Sequence, residues 1–363
     1  MSLSKISEKF ILNRLKKLEN GNLKLINYDG KVFHFGNLES ELSADIKINN
    51  PNFFTNIILG GSSAFGESHI KKDFYTSNLT NLIEITAKNV KLVYSFSGSL
   101  KLQKLKNFLK KIFASNTKSK SLKNISKHYD LGNDFFSKWL DKSLTYSSAI
   151  YMDQNESLEK AQRNKYQKLI DLLKIKEGNK VLEIGCGWGG FSEYLAKNYN
   201  VSIDCITISK KQFEFSKNRI AASGLDNKVN VKFLDYRDVK DKYDNIASIE
   251  MIEAVGENYL DKYFSTIKNS LKSNGTAAIQ GITISDNLFE RYRRSEDFIQ
   301  KYIFPGGFLP SEKFMKQLIK KHNLSLDKIN TYSDDYAKTL NIWKSNFLNL
   351  FKNISHLYFD EDF

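Results

Sequence analysis

The sequence predicts an α/β protein in which a parallel sheet follows a small α+β region. Two observations support this prediction. From about residue 128 onward, apolar runs of strand length alternate with amphipathic segments of helix length, which is typical of a parallel sheet covered on both faces by helices. One of these runs also ends in the glycine-rich turn "GCGWGG", which indicates a ligand site at the carboxyl edge of the sheet.

The predicted strands are short and rich in branched apolar residues. In chain order they are "KVLEIG", "VSIDCIT", "VNVKFLD", "YDNIASIE" and "GTAAIQGI". The segments between them include "GFSEYLAKNY", "SKKQFEFSKNRIAAS" and "YLDKYFSTIKNSLK", whose spacing of apolar residues predicts helices. The order strand, helix, strand therefore predicts parallel pairing, and there is no internal repeat.

The composition of the chain divides it into three regions. Residues 1–96 contain turn signals such as "NYDG" and "LGGSSAFGES" between short apolar runs, which predicts a small α+β domain. Residues 97–127 form a lysine-rich connector, predicted as a basic helical linker. Residues 128–363 hold the alternating pattern and form the predicted main domain.

The net charge of +14 indicates attraction to a polyanion. Between Ile85 and Tyr129 there are eleven lysines and no acidic residue, and Leu102, Leu105 and Leu109 recur there at helical spacing. This pattern predicts a basic amphipathic helix on an anionic membrane surface. The alternative is a linker helix packed on its own protein. Nucleic acid is not expected as a partner, because the sequence carries no RNA-binding signature.

Cysteine content and hydropathy bear on the compartment. Cys186 and Cys205 are too few for a disulfide framework and lack the spacing of metal ligands. No apolar stretch approaches the ~20 residues that a membrane-spanning helix needs, and the first residues lack the apolar core of a signal peptide. We expect a cytoplasmic protein associated peripherally with the inner face of the membrane.

The glycine turn has three interpretations. A strand that ends in glycines and leads into a helix presents bare backbone N–H groups to a nucleoside or nucleotide. Gly185, Gly187, Gly189 and Gly190 do not match the dinucleotide spacing, and the carboxylate of Glu183 would repel a pyrophosphate while suiting a cation. This contrast favours S-adenosylmethionine. The alternatives are a turn needed only for packing, and a dinucleotide site with Asp204 as its ribose ligand.

Polar residues after the next two strands are compatible with the same nucleoside. Thr207, Ser209 and Gln212 in "TISKKQ" follow the second strand and would face the ribose and methionine, although Ser209 is equally suited to cap a helix. The adenine is expected next to "LDYRD" after the third strand, with contacts from Asp235, Tyr236 and Arg237.

Seven ordered motifs resemble the cyclopropane-fatty-acyl-phospholipid synthase family, a branch of the class I S-adenosylmethionine-dependent methyltransferases. They are "HYDLGNDFF", "LTYSSAIY", the glycine turn with Trp188, "TISKKQ", "DYRD", "EMIEAVG" and "DFIQKYIFPGGFLPS", and "GGSSAFGESHIKKDF" resembles the family's small N-terminal domain. The resemblance implies a Rossmann-like, seven-stranded, mostly parallel sheet. It also implies transfer of a methylene to the cis double bond of an unsaturated phospholipid acyl chain, with bicarbonate as the base. A homodimer is left open.

The resemblance also implies the site residues. Glu253 matches the carboxylate that holds bicarbonate, Ile282 its backbone contact and Tyr336 a hydrogen-bonding tyrosine; a shared proton should raise the pKa of Glu253. Ser148 and Gln280 stand where many members have cysteine and histidine. The cofactor contacts are expected at Tyr146, Ser147, Glu183, Gly185, Gly187, Gly189, Thr207, Ile208, Gln212, Asp235, Tyr236 and Arg237.

An acyl chain of about sixteen carbons would need an apolar tunnel, since each CH2 costs ~0.8 kcal/mol in water. The candidate lining residues are Phe289, Tyr292, Phe298, Tyr302, Ile303, Phe304 and Phe308, which are equally suited to a core. The sequence ends at "HLYFDEDF", where the family continues, so part of the acyl site is expected to be absent. The alternatives are a methyl- or methylene-branching lipid enzyme, an amine N-methyltransferase, a basic nucleic-acid-binding protein and a degenerate member without turnover.

Overall fold

The computed structural model describes residues 2–96, 118, 121, 132–294 and 296–358, and of residues 351–358 only the backbone. The chain forms two compact units. The first contains residues 1–113 together with Arg291–Ile303, and the second contains residues 114–290 together with 304–363. The predicted basic linker 97–127 lies outside the described residues except for Lys118 and Ser121, so its helix and the proposed domain boundaries stay predictions.

The first unit is a mixed α+β fold. Its elements are α1 (Leu3–Leu15), β1 (Asn22–Ile26), β2 (Val32–Gly36), β3 (Ser43–Ile48), α2 (Phe53–Ile70), β4 (Phe74–Tyr75), α3 (Leu79–Lys88) and α4 (Val90–Tyr94). The sheet has the order β2-β1-β3-β4, and β1 pairs in parallel with β3. Phe54, Ile48 and Ile85 are at most 1% exposed in its core.

The segment Arg291–Ile303 packs within the first unit against α2. The hydroxyl of Ser63 donates to the carbonyl of Glu296 at 3.0 Å. Gly66 is required beneath the ring of Phe298, because a Cβ atom there would lie 2.2 Å from a ring carbon. Residues from the "DFIQKYIF" motif thus complete a unit otherwise built from the first part of the chain.

The second unit alternates strands and helices. Its elements are α5 (Asn133–Ser137), α6 (Leu158–Leu173), β5 (Lys180–Ile184), α7 (Gly190–Asn198), β6 (Ser202–Thr207), α8 (Lys210–Ala222), β7 (Val229–Phe233), β8 (Tyr243–Ile249), α9 (Ile252–Val255), α10 (Leu260–Ser270), β9 (Leu271–Gln280), α11 (Asp286–Tyr292, which continues into the first unit's segment), α12 (Glu312–Lys321) and α13 (Ser333–Tyr358). Short 3-10 turns occur at Tyr236–Asp238 and Glu257–Tyr259, and a π turn in the first unit at Ile299–Ile303.

The five strands of the second unit form one sheet with the order β7-β6-β5-β8-β9, and every pairing is parallel. The central strand β5 is almost wholly buried: Val181 and Leu182 are 0% exposed. The chain moves outward from β5 to β7 and then returns to the other side at β8. The carboxyl ends of β5 and β8 therefore flank the point where the strand order reverses, which is where open α/β sheets bind ligands.

The α/β class is confirmed, but the expected seven strands are not. Within the described residues the parallel sheet has five strands. The chain from 323 to 332, after α12, carries no strand, and Leu326 and Ile329 there are each 44% exposed. A segment whose apolar side chains stay exposed gains little stability by pairing as a further strand of the sheet. No described helix has both the length and the apolar character required to traverse a bilayer.

Candidate functional site

The predicted site residues converge on one edge of the second unit's sheet. The glycine turn follows β5, Thr207 ends β6, and Asp235 follows β7. Glu250 and Glu253 follow β8, and Gln280 ends β9. Because all five strands are parallel, their carboxyl ends meet at one edge. The order of the motifs along the chain thus becomes a row of side chains across neighbouring strands.

The glycine turn is a left-handed bend that is closed on most sides. Gly185, Gly187 and Gly189 have φ of +80°, +53° and +82°, conformations that favour glycine. A Cβ atom at Gly185 would lie 2.6 Å from Met251, and one at Gly190 would lie 2.6 Å from the hydroxyl of Tyr166. At Gly187 the Cβ position meets no atom within 4 Å. Packing therefore explains Gly185 and Gly190, whereas Gly187 borders open space.

Glu183 lies beside this turn but differs from the sequence-based expectation. Its side chain is buried, and the hydroxyl of Ser192 donates to its Oε2. Burial raises the pKa of Glu183 to about 8, with Ser192 and Lys165 opposing the shift. The carboxyl group is thus mainly protonated at pH 7. The argument that a fixed negative charge selects a cationic ligand was wrong in this form, since the residue is surrounded by protein and not exposed to repel a pyrophosphate.

The residues after β6 form a local hydrogen-bond network. Ser209 caps α8 by accepting from the Gln212 backbone N–H at 3.3 Å, and the Thr207 hydroxyl donates to the Gln212 side chain at 3.0 Å. Thr207 and Gln212 are buried, and Ile208 is partly buried between them in sequence. The helix-cap interpretation of Ser209 is correct.

Asp204 is engaged within the protein. Its carboxylate accepts from Asn230 at 3.0 Å and from the hydroxyl of Tyr243 at 2.9 Å, and Lys232 lies 2.8 Å away. It belongs to the interior of β6, three residues before Thr207, the first of the predicted ribose and methionine contacts. A dinucleotide site with Asp204 on the ribose is therefore not supported.

The residues after β7 form a rigid turn. Arg237 binds the carboxylate of Asp235 through Nε at 2.8 Å and a terminal nitrogen at 2.6 Å, while its backbone N–H donates to the same group at 2.9 Å. The pKa of Asp235 is lowered because Arg237 outweighs the effect of burial. The buried hydroxyl of Tyr236 has no hydrogen-bond partner in the described part of the chain.

The segment Tyr146–Ser148 lies between α6 and the residues after β8. The ring of Tyr146 packs against Phe136 and Trp343 with centroids 5.5 and 5.4 Å apart. The hydroxyl of Ser147 accepts from the ammonium of Lys165 at 2.6 Å. The backbone N–H of Ser148 donates to Glu250 Oε1 at 2.8 Å. The segment is therefore held from both sides.

Glu253 occupies the centre of the candidate catalytic cluster. Its Oε1 accepts from the backbone N–H of Ile282, and its carbonyl accepts from the N–H of Phe308 at 2.8 Å. Its buried Oε2 has no hydrogen-bond partner among the residues described. Burial and, after it, the nearby carboxyl of Glu250 raise the pKa of Glu253 to about 8. A raised pKa was expected, but its causes here are burial and Glu250, and the proton shared with a bound anion stays a prediction.

Tyr336 belongs to α13 and approaches the same cluster. The pKa of Tyr336 is raised because the ring is largely buried and because Glu250, Tyr146 and Glu253 lie near it. Helix α13 is also bonded to Ala149, the residue after the Tyr146–Ser148 segment: the backbone N–H of Ala149 donates to Thr339 Oγ1 at 3.1 Å. The structure thus brings Glu253, Ile282 and Tyr336 together, and their roles remain a prediction.

Gln280 and Ser148 are also at the site, but their donors are directed to protein groups. Gln280 Nε2 donates to Glu250 Oε1 at 2.9 Å and to the carbonyl of Ser148 at 3.2 Å. The Ser148 hydroxyl donates to the carbonyl of Ala149 at 3.1 Å. Gln280 thus orients Glu250, and a contact of Gln280 or Ser148 with a bound anion stays a prediction.

The candidate acyl-chain residues divide into two groups. Phe289 and Phe308 are buried and pack together with centroids 5.8 Å apart, which makes them core residues. Phe304 is 41% exposed and its centroid lies 6.3 Å from that of Tyr146. Of the candidates in the first unit, Tyr302 is 45% and Ile303 is 38% exposed. The core interpretation is correct for Phe289 and Phe308.

Sequence reasoning missed Glu250 and Lys165. Glu250 has a left-handed backbone with φ of +46° and precedes Glu253 by three residues. A pair of carboxylates at that spacing after a strand was the signal available. Lys165 is 0% exposed within the apolar stripe of α6. A lysine at a core position of a helix was its signal.

The fold and this site define a class I S-adenosylmethionine-dependent methyltransferase. A family model described as mycolic acid cyclopropane synthetase matches residues 116–363. The chain is 35% identical over 321 residues to the cyclopropane-fatty-acyl-phospholipid synthase of Escherichia coli, covering 87% of this chain and 79% of that protein. It is 33% identical over 311 residues to the tuberculostearic acid methyltransferase UfaA1 of Mycobacterium tuberculosis, covering 84% and 72%.

Solved structures agree with these relatives. The mycolic acid cyclopropane synthase CmaA1, in complex with SAH and CTAB, matches with a TM-score of 0.62 at 27% identity, covering 66% of this chain and 87% of that one. The chain therefore belongs to the mycolic acid cyclopropane synthetase family. It is an S-adenosylmethionine-dependent lipid methyltransferase of the cyclopropane synthase type.

Proposed function

We propose that this enzyme transfers a methylene from S-adenosylmethionine to the cis double bond of an unsaturated acyl chain on a membrane phospholipid, with a bound bicarbonate as the base. The observation that carries the proposal is the carboxyl group of Glu253. It is buried, it has a free Oε2 among the described residues, and its pKa of about 8 keeps it protonated at neutral pH. A protonated carboxyl can donate to an anion.

The surroundings of Glu253 fit a small anion. Its carboxyl group is fixed through Oε1 by the N–H of Ile282, so the unpartnered Oε2 has a defined direction. Tyr336 provides a phenol near the same group. Gly281 lies close to this group, since a Cβ atom there would lie 2.6 Å from a methyl carbon of Ile252 and 3.4 Å from Glu253 Oε1. Glu253 and Tyr336 would hold the ion by hydrogen bonds.

The glycine turn fits S-adenosylmethionine. Gly187 presents backbone to open space, and the other glycines of the turn are packed against protein. Thr207, Gln212 and Asp235 lie at the ends of the next two strands, where a nucleoside bound at the turn would extend. When bound, S-adenosylmethionine supplies an electrophilic methyl group and bicarbonate supplies a base for the proton that the new methyl group loses.

The protein's own contribution is to exclude water and to direct the proton. A carbocation formed on the acyl chain would be captured by water unless the cavity is dry. The aromatic cluster of Phe136, Trp139, Tyr146 and Trp343 provides apolar walls beside the Tyr146–Ser148 segment. Tyr336 and Phe347 pack at the edge of the same cluster. We propose that these residues keep the reacting carbons away from solvent.

The substrate explains the charge of the chain. A phospholipid acyl chain is reached at a bilayer surface, and the net charge of +14 would attract the enzyme to anionic lipid. We therefore propose peripheral association with the cytoplasmic face of the membrane, and a homodimer remains a further proposal. Support also comes from the Escherichia coli relative, whose name specifies a fatty-acyl phospholipid.

Two alternatives have specific support. The relative UfaA1 is named a tuberculostearic acid methyltransferase, which favours a methyl-branched product. In its ionised form Glu253, whose Oε2 has no partner among the described residues, could take the proton of an amine substrate, which favours an N-methyltransferase. Both alternatives use the same methyl donor, so they differ in the acceptor and in the fate of the proton.

One experiment separates these reactions. The protein is incubated with methyl-labelled S-adenosylmethionine and vesicles of unsaturated phospholipid, and the acyl chains are examined by proton NMR. We expect upfield cyclopropane signals, and olefin or methyl-branch signals in the labelled lipid would instead support the branching enzyme. Mass alone is insufficient, because each product gains one CH2. Label in an added amine but not in lipid would contradict the proposal.

A further inference from the structure

We infer that Lys165 is a positioning residue that assigns the single proton of the Glu250–Glu253 pair, keeping Glu250 ionised so that Glu253 carries the proton toward the bound anion. This inference rests on the proposed function for the identity of the anion. It concerns a residue that the proposed reaction does not itself use, and it is argued from burial and contacts in the second unit.

Lys165 is buried at a position where a lysine is unfavourable. It is 0% exposed in a stripe of α6 otherwise formed by residues such as Ala161, Leu169 and Leu173. Removing an ammonium from water costs several kcal/mol unless it is paired. Apolar residues of similar size would pack there without that cost. The charge therefore has a role beyond filling the core.

The contacts of Lys165 point to the catalytic cluster. Its Nζ donates to Ser147 Oγ at 2.6 Å and lies 5.6 Å from the ring centroid of Tyr166. Of the carboxyl groups that interact with it, Glu250 contributes most, followed by Asp141 and Glu183. Burial lowers the pKa of Lys165 to about 7 in spite of these groups, so the residue is charged below neutral pH.

These three carboxyl groups do not compete equally for the ammonium. Asp141 already accepts from the backbone N–H groups of Ser143 and Thr145 at 2.9 and 3.1 Å. Glu183 is bound by the hydroxyl of Ser192, and its raised pKa leaves it mainly neutral. Glu250 interacts with Lys165 more strongly than Asp141 or Glu183 does and lies beside Glu253, so it is the carboxyl through which Lys165 can act on the pair.

The hydrogen bonds of the pair decide which carboxyl ionises first. Glu250 Oε1 accepts from the N–H of Ser148 and from Gln280, in addition to the attraction of Lys165. Glu253 accepts one backbone N–H, and its Oε2 has no partner among the described residues. Donated hydrogen bonds favour the charged form of a carboxyl. Burial raises the pKa of Glu250, and these donors together with Lys165 oppose that rise.

Further groups face Glu253. Glu250 raises its pKa, and the phenols of Tyr336 and Tyr263 lie near enough to interact with it electrostatically. None of these three groups supplies a positive charge. Losing the ammonium of Lys165 would leave Glu250 as an uncompensated buried charge, which is relieved when Glu250 takes up a proton. Glu253 would then lose the repulsion of Glu250, but burial, the larger cause of its raised pKa, would still keep it protonated at pH 6.5, so the pair would hold two protons.

The test is infrared spectroscopy of the ligand-free protein, which needs no turnover. Buried carboxylic acids give a C=O band that shifts in D2O. At pH 6.5 we expect Glu253→Gln to remove one such band from the wild type and Glu250→Gln to remove none. Lys165→Met should gain one band, and the double variant Lys165→Met/Glu250→Gln should lack it. Glu183→Gln assigns the remaining band of Glu183.

The conservative variants provide a second readout. Lys165→Gln keeps a hydrogen-bond donor for Ser147 without the charge, so it should gain the same band as Lys165→Met. A wild-type band that disappears in Glu250→Gln would overturn the inference without any Lys165 variant, and so would unchanged spectra in Lys165→Met and Lys165→Gln. Failure of lipid methylation with the expected spectra would count against the proposed function alone.

Discussion

Replacing Glu253 by glutamine should stabilise the second unit at neutral pH, because the site retains a proton that the unfolded chain releases. The folded pKa of Glu253 is about 8, raised from its ordinary value of 4.5 by burial and by Glu250. Between these values the folded state binds a proton that the unfolded state lacks. The contribution of Glu253 to stability is thus greatest below pH 4.5, falls as the pH rises toward 8, and is constant above it.

The magnitude follows from one pKa unit being about 1.4 kcal/mol. Between pH 5 and pH 7.5 the wild type should therefore lose on the order of 3 kcal/mol more unfolding free energy than Glu253→Gln. The amide oxygen of the variant can still accept from Ile282, so the backbone contact is retained. The effect is of that order because the carboxyl group is almost fully buried.

Urea denaturation followed by tryptophan fluorescence measures this difference in the relevant unit. The chain has three tryptophans, Trp139, Trp188 and Trp343, and all are buried in the second unit. The matched control is Glu214→Gln, which makes the same substitution at a surface glutamate. The Glu214 side chain is 58% exposed, and its ion pair with Lys210, at 3.9 Å, is also on the surface. Parallel pH profiles for the wild type and Glu253→Gln would refute the reasoning.

Three further predictions test other parts of the site. Gly185→Ala should lower the melting temperature more than Gly187→Ala. Both substitutions cost ~1 kcal/mol for the positive φ, but only the first places a Cβ 2.6 Å from Met251, so equal melting temperatures would contradict the packing difference. Calorimetry should also show weaker binding of S-adenosylhomocysteine to the folded Gly187→Ala protein. Trp343→Ala should lower the free energy of unfolding in urea by about 3–5 kcal/mol, and Trp343→Phe by less than about 1.5 kcal/mol. The phenylalanine variant loses little because the indole N–H has no partner in the described chain. Equal losses in the two variants would count against this. Gln280→Leu should lower the free energy of unfolding by about 1–3 kcal/mol and reduce turnover, because Glu250 and the carbonyl of Ser148 lose their donor. An unchanged rate would show that the amide does not orient the site.

The sequence was sufficient for the parts of the fold that depend on local pattern. The runs "KVLEIG" and "YDNIASIE" become the adjacent central strands because their apolar residues are buried on both faces. The ends of parallel strands share an edge, so the order of the motifs also predicted which residues would approach one another. The number of strands was not predictable in this way, because residues 323–332 carry apolar side chains that the fold leaves exposed.

The electrostatics of the site could not be derived from the sequence. Whether Glu183 carries a charge depends on its burial and on Ser192, which is nine residues away. The donors of Gln280 are directed to Glu250 and Ser148, 30 and 132 residues away, and this depends on how β8 and β9 are paired. Such contacts are set by tertiary structure, and spacing along the chain does not encode them.

The dependence of lipid cyclopropanation on bicarbonate tests the central claim most directly. The wild-type protein, S-adenosylmethionine and vesicles of unsaturated phospholipid are assayed in CO2-depleted buffer, before and after bicarbonate is added back. The account predicts that ring formation falls on depletion and recovers on addition, and that Glu253→Gln shows little recovery. Ring formation at the full rate in depleted buffer would contradict it.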